Sequence, residues 1–285
     1  MKGFKDTIRL EKVVFDYGTA SERRSESFID GMDLSIRKGS ITSILGPNGC
    51  GKSTVLKLMA GVLRPSGGTI AVLQPEGDPP YSEGDSPQSG NFTDIRSLSS
   101  RKRASIMAFL PQVTPATALS VERLVANGRY PHRRLFGGLS DEDKERIEQA
   151  ISAMGLQPMR SQEIRTLSGG ERQRAYLAMI LAQDTDIMLL DEPTTYLDIG
   201  AAHDIMQTVR DLNSNGERTI LMVIHDLDMA LRYSDDIVVM DNGSVIGNGS
   251  TDDVLSGGSI QDIFGMDIVS VTEDERRGYC LFPRS

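Results

Sequence analysis

Hydrophobic and polar residues alternate over the first part of the chain. Between residues 7 and 36, apolar side chains recur at every second position, as in Ile8 and Leu10 and again in Leu34 and Ile36. A period of two is typical of strands that bury one face. The pattern therefore predicts a small antiparallel sheet at the start of the chain.

A strand, a glycine-rich loop and a helix are predicted in succession after this sheet. Ile41–Leu45 has the length of a short buried strand, and the glycine-rich residues 46–49 end it. The apolar residues that follow recur at helical spacing, at Val55, Leu56, Leu58 and Met59.

A helical insert is predicted in the middle of the chain. Ser140 and Asp143 have the three-residue spacing of a capping box, which marks the start of a helix. The helix is expected to end near Gly155. One of its faces is apolar and consists of Ile147, Ala150, Ile151 and Met154.

Helical and strand-like patterns alternate from residue 170 onward. Such alternation implies right-handed crossovers and a mainly parallel sheet with sites at the carboxyl ends of its strands. The predicted fold class is therefore α/β. The predicted segments are Gly170–Ala182, Ile187–Leu190, Ala201–Leu212, Thr219–Val223, Leu227–Arg232 and Ile237–Met240.

Composition limits the function classes. The chain has 285 residues, enough for one large domain, and its formal charge of -9 argues against a nucleic-acid partner. No hydrophobic stretch exceeds strand length, so neither a signal peptide nor a transmembrane helix is expected. Cys50 and Cys280 are far apart and fit a reducing cytosol better than a disulfide framework. Residues 75–91 are rich in Gly, Pro, Ser and acidic side chains and predict a surface loop.

The glycine-rich segment fits the phosphate-loop pattern in its required position between a strand and a helix. Glycines allow backbone N–H groups to curl around phosphate oxygens, and the helix start adds positive potential. Lys52 is expected to neutralise the β- and γ-phosphates, and the Ser53 hydroxyl to bind Mg²⁺. The residues of this pattern are Gly46, Pro47, Asn48, Gly49, Cys50, Gly51, Lys52, Ser53 and Thr54.

Two adjacent carboxylates end the apolar strand that begins at Ile187. Sheet alternation points them in different directions unless the chain bends there. Asp191 is expected to hold Mg²⁺, which prefers oxygen ligands, and Glu192 to polarise the water that attacks the γ-phosphate. Acids at a strand end also cap helices, but a phosphate loop in the same chain favours the catalytic interpretation.

A second anion site is predicted at the start of the helix that follows Leu167. Ser168, Gly169 and Gly170 supply a capping hydroxyl and flexible backbone, and Glu171 suits the positive end of the helix. A plain N-cap is the alternative. One nucleotide would then be held from two sides, and both sites cannot easily reach it within one subunit.

These motifs, in this order, resemble the ATP-binding subunit of an ABC transporter over nearly the whole chain. The resemblance implies ATP and Mg²⁺ as cofactors and a head-to-tail homodimer in which Ser168 of one copy caps the ATP of the other. It also implies a P-loop NTPase core with an N-terminal antiparallel subdomain and a helical insert that carries the signature motif. The implied parts of this single domain are residues 7–112, 113–182, 183–250 and a C-terminal tail, 251–285.

Four further residues match family positions. Tyr17 matches the aromatic residue that stacks on adenine, and Gln112 matches the glutamine that contacts Mg²⁺ and links the two lobes. Asp198 matches the aspartate at the dimer seam, and His225 matches the histidine that contacts the γ-phosphate. Taken alone, Tyr17 would more often be a packing residue, Gln112 a polar loop residue and His225 a structural residue.

The segments Gly128–His132, Leu135–Gly137 and Glu192–Ile199 resemble the subfamily that energises import of iron(III) siderophores, haem and cobalamin. This implies integral membrane permease subunits, a substrate-binding protein outside the cell, and a place at the cytoplasmic face of the membrane. Siderophores are the favoured cargo, with haem or cobalamin as alternatives. An exporter motor is disfavoured because fused apolar helices are not found, and a non-transport ABC ATPase because neither a second nucleotide-binding half nor a coiled-coil insertion is found.

Overall fold

The computed structural model describes residues 5–18, 28–74, 92–133, 138–195, 197–213, 218–273 and 276–284. The predicted loop at 75–91 lies outside them. The chain forms two compact units, Met1–Leu98 with Thr219–Ser285 and, between these segments, Ser99–Arg218. None of the described helices is both long and apolar enough to cross a bilayer.

Strands and helices follow one another along the described residues. In chain order they are β1 (Asp6–Phe15), β2 (Ile29–Arg37), β3 (Ile41–Leu45), α1 (Lys52–Met59), β4 (Gly67–Leu73), β5 (Phe92–Asp94), α2 (Ser100–Ile106), β6 (Met107–Leu110), α3 (Val121–Asn127), α4 (Asp141–Ala153), α5 (Gly169–Ala182), β7 (Ile187–Asp191), α6 (Ile199–Asn213), β8 (Thr219–Val223), α7 (Leu227–Tyr233), β9 (Asp236–Asp241), β10 (Ser244–Ser250), α8 (Thr251–Gly257), α9 (Ser259–Phe264), β11 (Met266–Glu273) and β12 (Arg276–Pro283).

An antiparallel sheet opens the first unit, in the order β2-β1-β4-β5. Leu10 pairs with Leu34 on β2 and with Ile70 on β4, and all three side chains are buried. The alternating pattern arises because one face of this sheet packs inward while charged residues of β1 and β2 face solvent. The predicted N-terminal antiparallel sheet is confirmed.

Parallel strands form the centre of the same unit. β3 pairs in parallel with β8 on one side and with β9 on the other, and β10 adds an antiparallel edge. Every residue of β3 and β8 is buried, which explains their unbroken rather than alternating patterns. Both strands have the predicted bounds.

The second unit contains the parallel pair β6 and β7 and a group of packed helices, α3, α4 and α5. The predicted capping box is present: Asp143 N–H donates to Ser140 Oγ, and Ser140 N–H donates to Asp143 Oδ2. Asp143 also accepts a hydrogen bond from Arg129 Nε at 2.8 Å, and both side chains are buried. Burial alone raises the pKa of Asp143, but the hydrogen bonds from Arg129 and Ser140 lower it to about 2.

The residues after 250, which we expect only as a tail, form regular structure. Helices α8 and α9 lead into the β11–β12 hairpin, whose register runs from Met266 opposite Pro283 to Glu273 opposite Arg276. Tyr279 is buried, whereas Val269 and Phe282 are exposed.

Candidate nucleotide-binding site

The phosphate loop connects the carboxyl end of β3 to the start of α1. Gly46, Gly49 and Gly51 have positive φ angles of 151°, 81° and 108°, a region that side chains with a Cβ rarely adopt. At Gly46 a Cβ would also lie 2.2 Å from the backbone oxygen of Met240. Both the conformation and the close packing require glycine, so the loop has the backbone freedom that a phosphate cradle needs.

Lys52 lies over its own loop. Its Nζ donates to the backbone oxygens of Gly46 and Pro47, both at 2.8 Å, and the side chain is buried. These two hydrogen bonds hold the Lys52 ammonium group against the loop. The arrangement suits an anion, because phosphate oxygens pair with this charge more strongly than carbonyls do.

The hairpin turn between β9 and β10 packs against the phosphate loop. Asn242 and Gly243 have φ angles of 43° and 77° between β9 and β10, and Gly243 N–H donates to the backbone oxygen of Cys50 at 2.9 Å. A Cβ at Gly243 would lie 2.1 Å from the backbone oxygen of Phe28. Burial raises the pKa of the Cys50 thiol. Sequence reasoning missed this support, although an Asn-Gly pair between two strands is a recognisable turn signal.

Tyr17 lies beside the helix that follows the loop. Its hydroxyl is 2.7 Å from Thr54 Oγ1, and its ring meets Phe15 and Phe28 edge-on, with centroid distances of 4.8 and 5.5 Å. The residue remains 61% exposed. An anchored ring of this kind can stack on a flat heterocycle.

His225 lies at the same edge of the sheet as the phosphate loop. Ile44 of β3 is in register with Val223 of β8, so Gly46 and His225 both follow that pair by two residues. His225 is exposed, and the next residue, Asp226, caps α7 by accepting from Met229 N–H. The structure thus brings the predicted histidine to the edge where parallel strands place their sites.

The paired carboxylates lie at the end of β7 in the second unit. Asp191 is fully buried, and Glu192 has a φ of 53°, so the chain bends between them. Glu192 Oε2 accepts from Gln112 Nε2 at 2.7 Å and from Thr195 Oγ1 at 2.8 Å. The bend separates the two carboxylates, and the two donors fix the orientation of Glu192. Thr195 was not predicted; its position three residues after an acid is a weak turn signal.

The start of α5 is exposed. Ser168 caps the helix by accepting from Glu171 N–H, and Glu171 Oε2 accepts from Ser168 N–H and Oγ, both at 2.8 Å. These hydrogen bonds from Ser168 lower the pKa of Glu171. Glu171 therefore shapes the helix start, while the backbone of Gly169 and the Ser168 side chain face solvent.

Asp198 directly precedes the neighbouring helix, α6. Its Oδ1 accepts from Ala201 N–H at 2.9 Å, and the residue is exposed. A Cβ placed on Gly170 would contact Ala201 and Leu197 at 3.7 and 3.8 Å, so the starts of α5 and α6 lie side by side. Among the predicted site residues, the second unit thus brings Gln112 to Glu192. It also places Gly170 beside the residues that flank Asp198 in sequence.

Comparison with known proteins finds a matching family and relatives that align with most of the chain. A family model described as ABC transporter matches residues 29–195. Iron(3+)-hydroxamate import ATP-binding protein FhuC of Bacillus subtilis is 40% identical over 269 residues, which cover 94% of this chain and 91% of that protein. Ferric enterobactin transport ATP-binding protein FepC of Escherichia coli is 34% identical over 260 residues, 91% of this chain and 87% of that protein.

Solved structures share the fold. A metal-chelate type ABC transporter in an inward-facing conformation superposes with a TM-score of 0.77 at 24% identity, over 99% of this chain and 98% of that one. A dimeric ATP-binding cassette bound to ADP and phosphate gives 0.69 at 25% identity, over 86% and 98%. The predicted α/β fold class is confirmed.

Proposed function

This chain belongs to the ABC transporter family, and from that premise we propose that it is the ATP-hydrolysing subunit of an importer for iron(III)-siderophore complexes. Support for the cargo comes from relatives 34–40% identical that are named for import of hydroxamate, petrobactin and enterobactin siderophores. The proposed assembly contains integral membrane permease subunits and receives cargo from a binding protein outside the cell. This subunit works at the cytoplasmic face of the membrane.

Glu192 carries the hydrolytic part of the proposal. It follows a fully buried aspartate, and Gln112 and Thr195 hold its carboxylate. Because both donors bind Oε2, they also fix the direction in which the other carboxylate oxygen of Glu192 points. A carboxylate fixed in this way polarises a water for in-line attack on a phosphoryl group.

The phosphate loop supplies the grip on ATP. Lys52 exchanges its loop carbonyls for phosphate oxygens, and His225 and Lys52 stabilise charge on the transferring group. Ser53, Asp191 and Gln112 offer hydroxyl, carboxylate and amide oxygens, the donor types that Mg²⁺ prefers. When bound, Mg²⁺ would neutralise charge on the phosphate oxygens.

A second copy of the chain completes each site. The exposed helix start at Ser168 offers N–H groups and a hydroxyl to the ATP held by the other copy, and Asp198 lies at the seam. Each pair then encloses two ATP molecules, and its closure drives the permease. The division into a core of residues 7–112 and 183–250, a helical subdomain of 113–182 and a C-terminal segment is part of this proposal.

Substitution of Glu192 by Gln tests the catalytic assignment. The amide keeps the shape and the hydrogen bonds from Gln112 and Thr195 but loses basicity, so turnover is expected to fall by about 10²- to 10⁴-fold. ATP affinity, measured by calorimetry, stays near the wild-type value. Glu145→Gln on the exposed side of α4 is the matched control. Wild-type turnover in Glu192→Gln would remove this residue from the base role.

The cargo is tested by uptake of labelled substrate in cells that express the chain with its permease. Ferric siderophores are expected to accumulate, and Glu192→Gln to abolish the accumulation. Uptake of cobalamin or haem without uptake of any ferric siderophore would contradict the proposed cargo while leaving the ATPase assignment intact.

A further inference from the structure

The segment Gly128–His132, which the proposed chemistry does not use, packs against the carboxyl end of α5. A Cβ on Gly128 would lie 2.2 Å from the backbone oxygen of Met179 and 3.1 Å from the backbone nitrogen of Gln183. The two backbones are therefore in direct contact. Glycine at residue 128 allows this approach, because any side chain would push the segment away from the helix.

Two side chains of the segment donate to the last carbonyls of α5. Arg129 is 3% exposed, and its Nη1 donates to the backbone oxygen of Ala182 at 2.8 Å. His132 Nε2 lies 2.8 Å from the backbone oxygen of Gln183, a carbonyl that can only accept. The final carbonyls of a helix have no partner within the helix and carry its negative dipole end, which cationic donors stabilise.

Further hydrogen bonds hold these side chains and the helix end in place. Arg129 Nε donates to Asp143 Oδ1, which ties the segment to the start of α4. Gln183 Nε2 donates to the backbone oxygens of Ala104 at 2.7 Å and Met107 at 3.2 Å. Met107 begins β6, and Gln112, which contacts Glu192, follows the end of that strand.

We propose that Arg129 and His132 are positioning residues that fix α5 from its carboxyl end and so set the place of Ser168 at its amino end. A helix of 14 residues is about 21 Å long and moves as a rod. A small tilt at Gln183 would therefore displace Ser168. This inference rests on the proposed function, because it assigns Ser168 to the ATP of a second copy.

The positioning role differs from a purely structural one in what it changes. Lys52 and Tyr17, which are proposed to bind the nucleotide without the second copy, belong to the other unit, so ADP affinity is expected to change little when the carboxyl end of α5 is altered. Closure of two copies over ATP does depend on it, because closure needs Ser168 in place. Loss of the hydrogen bonds from Arg129 and His132 to the carboxyl end of α5 is expected to weaken ATP-driven pairing by about tenfold, within the range by which substitutions in a contact network change coupling between sites.

The experiment uses the full chain carrying Glu192→Gln, which retains ATP, with one further substitution. His132→Ala removes an exposed side chain, so folding is little affected; His132→Gln restores an N–H donor near the Nε2 position. Arg129→Lys keeps the charge but cannot serve Ala182 and Asp143 together. Arg160→Gln is the control, because Arg160 also bridges α3 and α4 through Glu122 and Glu148, and among the described residues its side-chain hydrogen bonds and ion pairs are with these two acids and not with α5.

ATP-dependent pairing is measured by ultracentrifugation and ADP affinity by calorimetry, and the same four substitutions are assayed for ATPase activity with Glu192 intact. We expect His132→Ala and Arg129→Lys to weaken pairing and raise the KM for ATP with unchanged ADP affinity, and His132→Gln to recover most of the loss. Equal pairing by His132→Ala and Arg160→Gln would overturn the inference. An inactive wild-type chain would instead refute the proposed function.

Discussion

The Tyr17 hydroxyl connects the predicted base-stacking ring to the phosphate-binding helix. It lies 2.7 Å from Thr54 Oγ1, while Phe15 and Phe28 hold the ring by its edges. A tyrosine anchored by its hydroxyl loses less freedom when a base stacks on it. We therefore expect Thr54 to contribute to nucleotide binding through Tyr17 as well as through its own place in the loop.

A double-mutant cycle tests this connection. Tyr17→Phe and Thr54→Val each break the hydrogen bond and are expected to lower ATP affinity by about two- to tenfold, the usual net value of one such bond. The double variant should lose little more than either single one, because both remove the same interaction. Calorimetric ATP titrations measure the effect, with Thr54→Ser as the rescue and Tyr130→Phe as the control.

Additive losses in this cycle would show that Tyr17 and Thr54 act independently. The glycines of the phosphate loop could be predicted from sequence because a local backbone shape demands them. Thr195 was missed because a hydroxyl three residues after an acid is a weak local signal, and the role of Gly243 appears only when tertiary structure brings its turn to Cys50.

At the scale of elements, strands with a high apolar content are predicted well from the sequence, and exposed strands are not. Strands β3 and β8 are buried along their whole length, and their bounds agree with the prediction. β10 is mostly solvent-facing and has two glycines, and the β11–β12 hairpin exposes Val269, Val271 and Phe282. Such strands are stabilised by pairing with a neighbour, so their own residues give only a weak pattern.

The junction of α3 and α4 gives a pH prediction. Asp143 has a folded-state pKa of about 2, below the ordinary value of 3.8, because Arg129 and Ser140 donate to it against the effect of burial. Its ionised form therefore stabilises the fold fully above about pH 5, where the unfolded-state carboxyl is also ionised, and this contribution is lost as the pH falls towards 2. Between about pH 5 and pH 3 the free energy of unfolding should lose about 1 kcal/mol through this group.

Asp143→Asn tests the contribution. The variant should be destabilised by about 3 kcal/mol at neutral pH, because Arg129 stays buried without its counter-charge. Its unfolding free energy, from urea titrations at several pH values, should then fall less steeply between about pH 5 and pH 3. Glu142→Gln, exposed on the same turn, should keep the wild-type slope. An unchanged slope in Asp143→Asn would contradict the assignment.

At the scale of the whole molecule, the proposed function divides each nucleotide site between two copies of the chain. The phosphate loop lies in one compact unit and the exposed start of α5 in the other. The sequence predicts two chains because two anion sites would serve one nucleotide, and this stays a prediction. The contact of Gly128–His132 with the carboxyl end of α5 could not be predicted, because nothing in this segment indicates which helix end it contacts.

Mixing two inactive variants tests the shared site. Lys52→Ala removes the charge of the phosphate loop, and Ser168→Arg blocks the helix start, so each alone should hydrolyse almost no ATP. In a mixed pair one site carries both defects and the other is intact, since its Lys52 and Ser168 come from different copies. Random pairing makes half the dimers mixed, so an equimolar mixture should regain about a quarter of wild-type ATPase activity, as a head-to-tail pair with independent sites requires. If Lys52 and Ser168 of the same chain formed the site, neither variant could supply what the other lacks, and the mixture would stay inactive.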